Sequence, residues 1–284
     1  MKQFDRQYRF AAGPPGGEGF EVGETSPSQP TALRINFSVE KADTEAPNTA
    51  RISLWNLSPE SIAILNEEDC FVKLRAGYGT NMPLVLKGTI TYIHTVMDFA
   101  DRETVIEIAD GRVELRDTYV ALSYSGVVSG KDIIEDTAGQ MGIAVTFSYN
   151  AEFHDFPNGF SFVGPARVAL DKGCDSSGLQ WQIQDGVLQV HMTRDTMTRE
   201  VYLLSADTGL IGIPKKVTYG EDGTEEGIQT GWEVTYLLNG AIGIADYVRL
   251  ESKIVTGQFR VKSVKLDGDN IQGDWMCTAR LMEA

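Results

Sequence analysis

Cysteine and histidine are scarce in this chain, which holds three of each among its 284 residues. Cys70, Cys174 and Cys277 stand far apart, are odd in number and form no C-x-x-C pair, which argues against a disulfide-stapled secreted scaffold. We expect reduced thiols that pack as small apolar side chains.

Long apolar runs are also missing. No stretch approaches the length that spans a bilayer, and the start Met1–Arg6 lacks the apolar run of a signal peptide. The sequence therefore predicts a chain that is made and folded in the cell interior, with no membrane partner.

Positive charge is in short supply. The chain has 25 lysines and arginines against 40 aspartates and glutamates, which leaves a formal net charge of -15. Such a surface repels phosphates, so nucleic acid and anionic membranes are excluded as the main partner.

Motifs that carry chemistry are absent as well. His94, His154 and His191 have no second ligand at metal spacing. The segment Asp267–Asn270 resembles the start of a calcium loop, but Ile271 falls where an oxygen ligand is needed, so a tight turn between strands is predicted instead. There is no G-x-S-x-G elbow and no phosphate-binding glycine frame. We predict no enzyme activity, no catalytic residue, no cofactor and no metal.

What the sequence does contain is a repeated β-pattern: a strand with a Leu-Asn ending, a second strand, and a glycine that opens a third. The first copy comprises Ala50–Leu57, Asp69–Leu74 and Gly88–Ile93, and the second comprises Trp232–Asn239, Asp246–Leu250 and Gly257–Val261. Two copies of one β-unit at opposite ends of a chain favour a protein that builds a ring or tube.

The chain divides into three predicted domains. Residues 1–113 and 201–284 read as alternating strands, with one short helix opened by Ser58-Pro59. Residues 114–200 form a small α+β module with helices at Ser129–Gly139 and Ala166–Leu170 and a hairpin around Asp185-Gly186. The acidic stretch Gly220–Gly227 is predicted to be a solvated loop. The predicted fold class is mainly β, a β-rich α+β protein.

A series of short segments spans nearly the whole chain: Phe4–Arg9, Leu33–Val39, Asn48–Ala50, Trp55–Ser58, Ala76–Tyr78, Lys87-Gly88, Trp181, Asp185-Gly186, Gly209–Pro214, Leu237–Asn239, Val248–Ser252, Gly257–Val261, Asp267–Asp269 and Trp275. In this order the segments resemble the bacteriophage baseplate hub (tail hub) protein family. A histidine expected shortly before Gly268 is replaced by Lys265-Leu266.

The resemblance implies a fold and a set of partners. The two outer domains would be tail-tube-like β-barrels with the small α+β domain inserted between them. A homotrimer would then present six similar units to the hexameric tail tube protein and threefold symmetry to the central spike protein, with the tape-measure protein as a further contact. DNA would only pass through the lumen as cargo. The protein would reside in the baseplate of the virion tail and assemble in the host cytoplasm.

We predict the ring contacts on one strand in each outer domain. The candidate interface residues are Gly88, Thr89, Ile90, Thr91, Gly257, Gln258, Phe259 and Arg260.

Two alternatives stay open at this point. A tail-associated cell-wall hydrolase would use paired carboxylates drawn from Glu225, Glu226, Asp267 and Asp269. A carbohydrate-binding tail-tip module would expose its tryptophans on one face, and the candidates are Trp55, Trp181, Trp232 and Trp275.

Overall fold

The computed structural model describes residues 5–23, 32–192, 195–197, 200–219 and 229–283. Strands hold 55% of the chain and helices 14%, so the predicted mainly β class is confirmed. The predicted acidic loop Gly220–Gly227 lies outside the described residues. Within the described ranges, no helix is both long and apolar enough to cross a membrane.

The chain forms two compact units. The first unit comprises Met1–Asp43, Asn48–Ala109 and Glu200–Ala284, and the second comprises Thr44–Pro47 and Asp110–Arg199. The division into three domains at 113 and 200 stays a prediction.

The first unit is built from two groups of strands, which we call the first β-half and the second β-half. The first β-half contains β1 (Arg6–Gly13), β2 (Phe20–Gly23), β3 (Ile35–Ala42), β4 (Thr49–Trp55), α1 (Pro59–Leu65), β5 (Phe71–Tyr78), β6 (Leu84–Asp98) and β7 (Asp101–Ala109). The second β-half contains β15 (Val201–Leu204), a 3-10 turn (Ala206–Thr208), β16 (Leu210–Tyr219), β17 (Gln229–Leu237), β18 (Tyr247–Glu251), β19 (Thr256–Asp269) and β20 (Trp275–Glu283).

All these strands belong to one sheet, in the order β16-β17-β20-β19-β3-β4-β7-β6-β5-β1-β2, with β18 beside the start of β19 and β15 beside β18. Alternating side chains are buried along them, as in β3, where Ile35, Phe37 and Val39 are at most 1% exposed. Among the described residues the sheet closes into no barrel.

Local chemistry explains the elements that the sequence predicted. Ser58 caps α1 by accepting a hydrogen bond from the Ser61 N–H at 3.1 Å, and Pro59 occupies the first helical position. Residues 14–19 form the loop between β1 and β2. The tight turn predicted at Asp267–Asn270 lies further along the chain, because Asp267–Asp269 belong to β19 and pair with neighbouring strands, and residues 270–274 connect β19 to β20.

Within the described residues, the second unit contains three helices and seven short strands. They are α2 (Arg112–Asp117), β8 (Tyr119–Tyr124), β9 (Val128–Ser129), α3 (Gly130–Met141), β10 (Ala144–Phe147), β11 (Asp155–Phe156), β12 (Phe160–Pro165), α4 (Ala166–Asp175), β13 (Leu179–Gln184) and β14 (Val187–Met192). β10, β14 and β13 form one sheet, while β8 pairs with β12 and β9 with β11.

The core of the second unit follows the predicted pattern. Ser129 caps α3 in a capping box with Asp132, and the helix buries Ile133, Ile134, Ala138 and Met141. The hairpin between β13 and β14 turns at Asp185-Gly186, both at positive φ, as a tight two-residue turn requires. α4 runs five residues beyond its predicted end at Leu170, and α2 was not predicted.

Candidate assembly interface

In the parts of the chain that the structure describes, no three histidines, cysteines or acidic residues are placed to hold a metal ion. His94 lies on β6 in the first unit, whereas His154 and His191 belong to the second. The His154 ring forms a hydrogen bond through Nδ1 with the Ser176 carbonyl oxygen at 2.6 Å, so this histidine connects two backbone segments of the second unit.

Two of the four carboxylates proposed for a hydrolase, Asp267 and Asp269, lie within the described residues, and both make structural contacts. Asp267 accepts from the Ser38 hydroxyl at 2.7 Å. Asp269 accepts from the backbone N–H groups of Ile271 and Gln272, each at 2.9 Å, and pairs with Arg34 at 3.1 Å. Glu225 and Glu226 lie outside the described residues.

The pKa of Asp269 moves away from what a general acid needs. Burial pushes it upward, but the two backbone N–H groups and Arg34 outweigh burial and hold the pKa below its usual value. A carboxyl that donates a proton near neutral pH needs the opposite shift.

The tryptophans do not form an exposed binding face. Trp55, Trp181 and Trp275 are at most 9% exposed, and Trp232 is half-buried. Trp55 stacks under the Arg34 guanidinium at 4.3 Å, and Trp181 donates to the Asp171 carboxylate at 2.8 Å. These side chains serve the interior of the protein.

The two β-halves share one strand order. Without β2, the first β-half reads β3-β4-β7-β6-β5-β1, and the second reads β16-β17-β20-β19-β18-β15. Taken in chain order, β1, β3, β4, β5, β6 and β7 occupy the same places in the sheet as β15, β16, β17, β18, β19 and β20, respectively. Each neighbouring pair is antiparallel in both halves, except that β1 is antiparallel to β5 while β15 is parallel to β18.

The ladders also share their register. Thr89 lies opposite Phe71, the first residue of β5, and Arg260 lies opposite Tyr247, the first residue of β18. Two residues later, the pairing with the next strand skips one residue in each half: the skipped residues are Thr91 and Lys262. A β-bulge at the same ladder position is a specific feature to find twice.

The residues that directly precede β5 and β18 also have similar backbone conformations and hydrogen bonds. The Ile90 N–H donates to the Cys70 carbonyl, and the Val261 N–H donates to the Asp246 carbonyl, both at 3.0 Å. The residues just before these carbonyls, Asp69 and Ala245, have φ angles of 52° and 63°. Non-glycine residues rarely adopt this conformation, so its recurrence supports one backbone design used twice.

The strand pairings show which residues of the two sequence repeats occupy equivalent positions. Ala50 and Trp232 occupy equivalent positions opposite Ile108 and Leu281, as the aligned patterns predicted. The glycine alignment is wrong by two residues, because Gly88 lies opposite the second residue of β5 and Gly257 opposite the fourth of β18. Gly88 is therefore equivalent to Phe259.

The two β-halves join where β3 pairs with β19, from Ala42 opposite Ser263 to Asn36 opposite Asp269. Beside this seam, Arg260, 2% exposed, donates to the Asp43 carboxylate at 2.5 Å. At the other end Asn270 accepts from the Ile35 N–H at 2.9 Å. A continuous sheet thus connects the ends of the chain.

The predicted interface residues lie on β6 and β19. Thr89, Phe259 and Arg260 each have strand neighbours of the same chain on both sides. Gly88, Thr89, Phe259 and Arg260 are buried, Ile90, Thr91 and Gly257 are half-buried, and Gln258 is exposed. Their part in a subunit contact stays a prediction.

Solved structures of similar fold are tail and secretion proteins. A 43 kDa tail protein of prophage MuSo2 from Shewanella oneidensis is 10% identical with a TM-score of 0.63, over 98% of this chain and 96% of that one. A tail protein from Neisseria meningitidis MC58 is 12% identical with a TM-score of 0.59, over 97% and 96%.

A third similar structure is the Escherichia coli c3393 protein, a component of the type VI secretion system that is described as similar to the T4 bacteriophage tail proteins gp27 and gp5. It is 10% identical with a TM-score of 0.57, over 91% of this chain and 76% of that one. At these identities the likeness establishes the fold alone.

Sequence comparison supplies the family. Curated protein sequences contain no match to the chain. The family model described as baseplate hub gp41 matches residues 19–270. Because this match spans most of the chain, the chain belongs to the baseplate hub gp41 family of structural proteins of the phage tail.

Proposed function

We propose that this protein is the structural hub of a long-tailed phage baseplate and forms a homotrimeric ring. Three copies with two similar β-halves each would present six related units to the hexameric tail tube protein. The same ring would keep threefold symmetry for the central spike protein and contact the tape-measure protein. The observation that carries this proposal is the shared strand order and bulge position of the two β-halves.

The open sheet fits this role. No barrel closes within the described residues of one chain, so in this proposal a barrel would close only when copies join. The proposed division into tube-like domains at 1–113 and 201–284, with an inserted domain at 114–200, follows the same logic. DNA would pass through the ring without binding, since the chain carries a net charge of -15.

The solution mass, alone and with the spike protein, tests the proposal. Multi-angle light scattering should give three times the chain mass of 31.2 kDa in at least one of the two conditions, with the spike's own mass subtracted. A monomer in both conditions would overturn the trimeric hub.

The absence of enzyme activity is part of the proposal. Asp267 and Asp269 accept structural hydrogen bonds, and the lowered pKa of Asp269 suits no proton donor. A peptidoglycan-release assay should give the same background for the native chain and for the Asp267→Asn variant. Native activity that this variant abolishes would restore the hydrolase alternative.

A further inference from the structure

Two strand edges lack a partner within the described residues. β16 pairs only with β17 there, and the stretch Tyr92–Asp98 of β6 pairs only with β7. Each edge therefore presents backbone N–H and C=O groups that another strand could pair with.

The repeat says which strand fits each edge. By the shared ladder register, residues 92–98 of β6 are equivalent to 263–269 of β19, and β16 is equivalent to β3. Within the chain, 263–269 of β19 pairs antiparallel with β3. The equivalents of these two edges therefore already pair with each other within the chain, in the seam between β3 and β19.

We propose that β16 of one copy pairs antiparallel with residues 92–98 of β6 in the next copy. This inference rests on the proposed function and specifies how the ring closes. The same type of seam would then occur six times in a trimer, alternating between seams within a chain and seams between chains.

The internal seam also gives the register. Lys265 opposite Glu40 and Leu266 opposite Val39 correspond, position for position, to a His94–Val217 pair and a Thr95–Lys216 pair between copies. The next position pairs Val96 with Lys215. No other register reproduces the seam between β3 and β19.

The side chains on the two edges fit this pairing. Apolar side chains are exposed on both: Tyr92 (53%), Val96 (44%) and Met97 (69%) on β6, and Ile211 (40%) and Ile213 (65%) on β16. Burying such groups against a second copy would remove them from water.

Charge favours the same partner. β16 carries two adjacent exposed lysines, Lys215 and Lys216, in a chain that is strongly acidic. On β6, Val96 lies opposite Glu103 of β7. The proposed register brings Lys215 onto the same face as Glu103, two strands away, within reach of its long side chain.

Cysteine cross-linking tests the register. The native thiols Cys70, Cys174 and Cys277 are buried, so introduced pairs can be oxidised selectively. We would make His94→Cys with Val217→Cys, and separately Thr95→Cys with Lys216→Cys, because adjacent pairs alternate between hydrogen-bonded and non-hydrogen-bonded sites. At least one pair should give reducible covalent dimers and trimers on a denaturing gel.

The control pair is Tyr92→Cys with Lys215→Cys, which is four residues out of register on the same face. Its α-carbons would lie roughly 13 Å apart in the proposed seam, too far for a disulfide. All variants are oxidised in the presence of the spike protein, and their masses are measured by light scattering before oxidation.

The outcomes separate the two proposals. A trimer in solution whose in-register pairs stay monomeric on the gel, or cross-link no better than the control, overturns this seam and leaves the hub function standing. A monomer with and without the spike overturns the hub function itself. A trimer with cross-links confined to the in-register pairs supports both.

Discussion

At the residue scale, two ion pairs made by arginines of the second β-half differ sharply in burial. Arg260 is 2% exposed and pairs with Asp43, whereas Arg280 is 55% exposed and pairs with Glu233 at 3.5 Å. Breaking a buried pair leaves a charge in a poorly solvated place, while an exposed pair exchanges its partner for water.

Arg260→Ala should therefore destabilise the protein by about 3 kcal/mol. The matched control Arg280→Ala should cost less than about 1 kcal/mol. Chemical denaturation followed by circular dichroism measures both, and equal losses would contradict the role assigned to burial.

Asp269 gives a pH prediction. Its pKa is lower in the folded chain than the value of about 3.9 in an unfolded one, so its contribution to stability is complete above that value and disappears as the pH falls through the folded pKa.

Asp269→Asn should lose about 2 kcal/mol at pH 7, because the charge-assisted hydrogen bonds are weakened and the ion pair with Arg34 is lost. The difference between native chain and variant should shrink as the pH falls below about 4. Unfolding curves from pH 7 to pH 3 check this, and a constant difference would argue against the assignment.

At the scale of elements, two glycines play opposite roles. A Cβ on Gly268 of β19 would lie 2.3 Å from Cζ of Phe37 and 2.9 Å from Trp275, whose rings meet edge to face there. A Cβ on Gly139 of α3 would meet nothing within 4 Å.

Gly268→Ala should cost about 1 to 3 kcal/mol, because the ring of Phe37 must leave its site in a packed core. Gly139→Ala should instead stabilise the chain by up to about 1 kcal/mol, since alanine loses less backbone entropy in a helix. Thermal unfolding distinguishes the two signs, and a gain from Gly268→Ala would contradict the packing described for the seam.

At the scale of the whole molecule, the proposed ring depends on the outer edge of β16, which pairs only with β17 within the described residues of one chain. Lys215 lies on that edge, and Lys253 is an exposed lysine in the connection between β18 and β19. Replacing either by glutamate makes the same change in net charge.

Lys215→Glu should weaken trimer formation at least tenfold, because a new carboxylate would face Glu103 of the next copy. The same carboxylate would lie opposite Glu233 of its own chain, so the unfolding temperature of the monomer should fall slightly and is measured alongside assembly. Lys253→Glu should leave assembly unchanged. Adding Glu103→Lys to Lys215→Glu should restore the trimer in light scattering, and failure of both the loss and the rescue would argue against this contact.

The amino-acid sequence by itself determined the features that depend on residues close together along the chain. The cap at Ser58, the buried face of α3, the turn at Asp185-Gly186 and the first two strands of each repeat follow from neighbouring residues, whose spacing and backbone preferences select one conformation. The family match is likewise a property of the sequence, over residues 19–270.

Only the tertiary structure decided which strands meet. Ala42 and Ser263 are more than 200 residues apart, and every strand edge offers the same N–H and C=O groups, so no local pattern marks β3 and β19 as partners. The burial of Arg260 beside Asp43 depends on that pairing. The equivalence of Gly88 with Phe259, and the edges of β6 and β16 that lack a strand partner within the described residues, depend on the other strand pairings, because each is defined by neighbours that no local sequence pattern specifies.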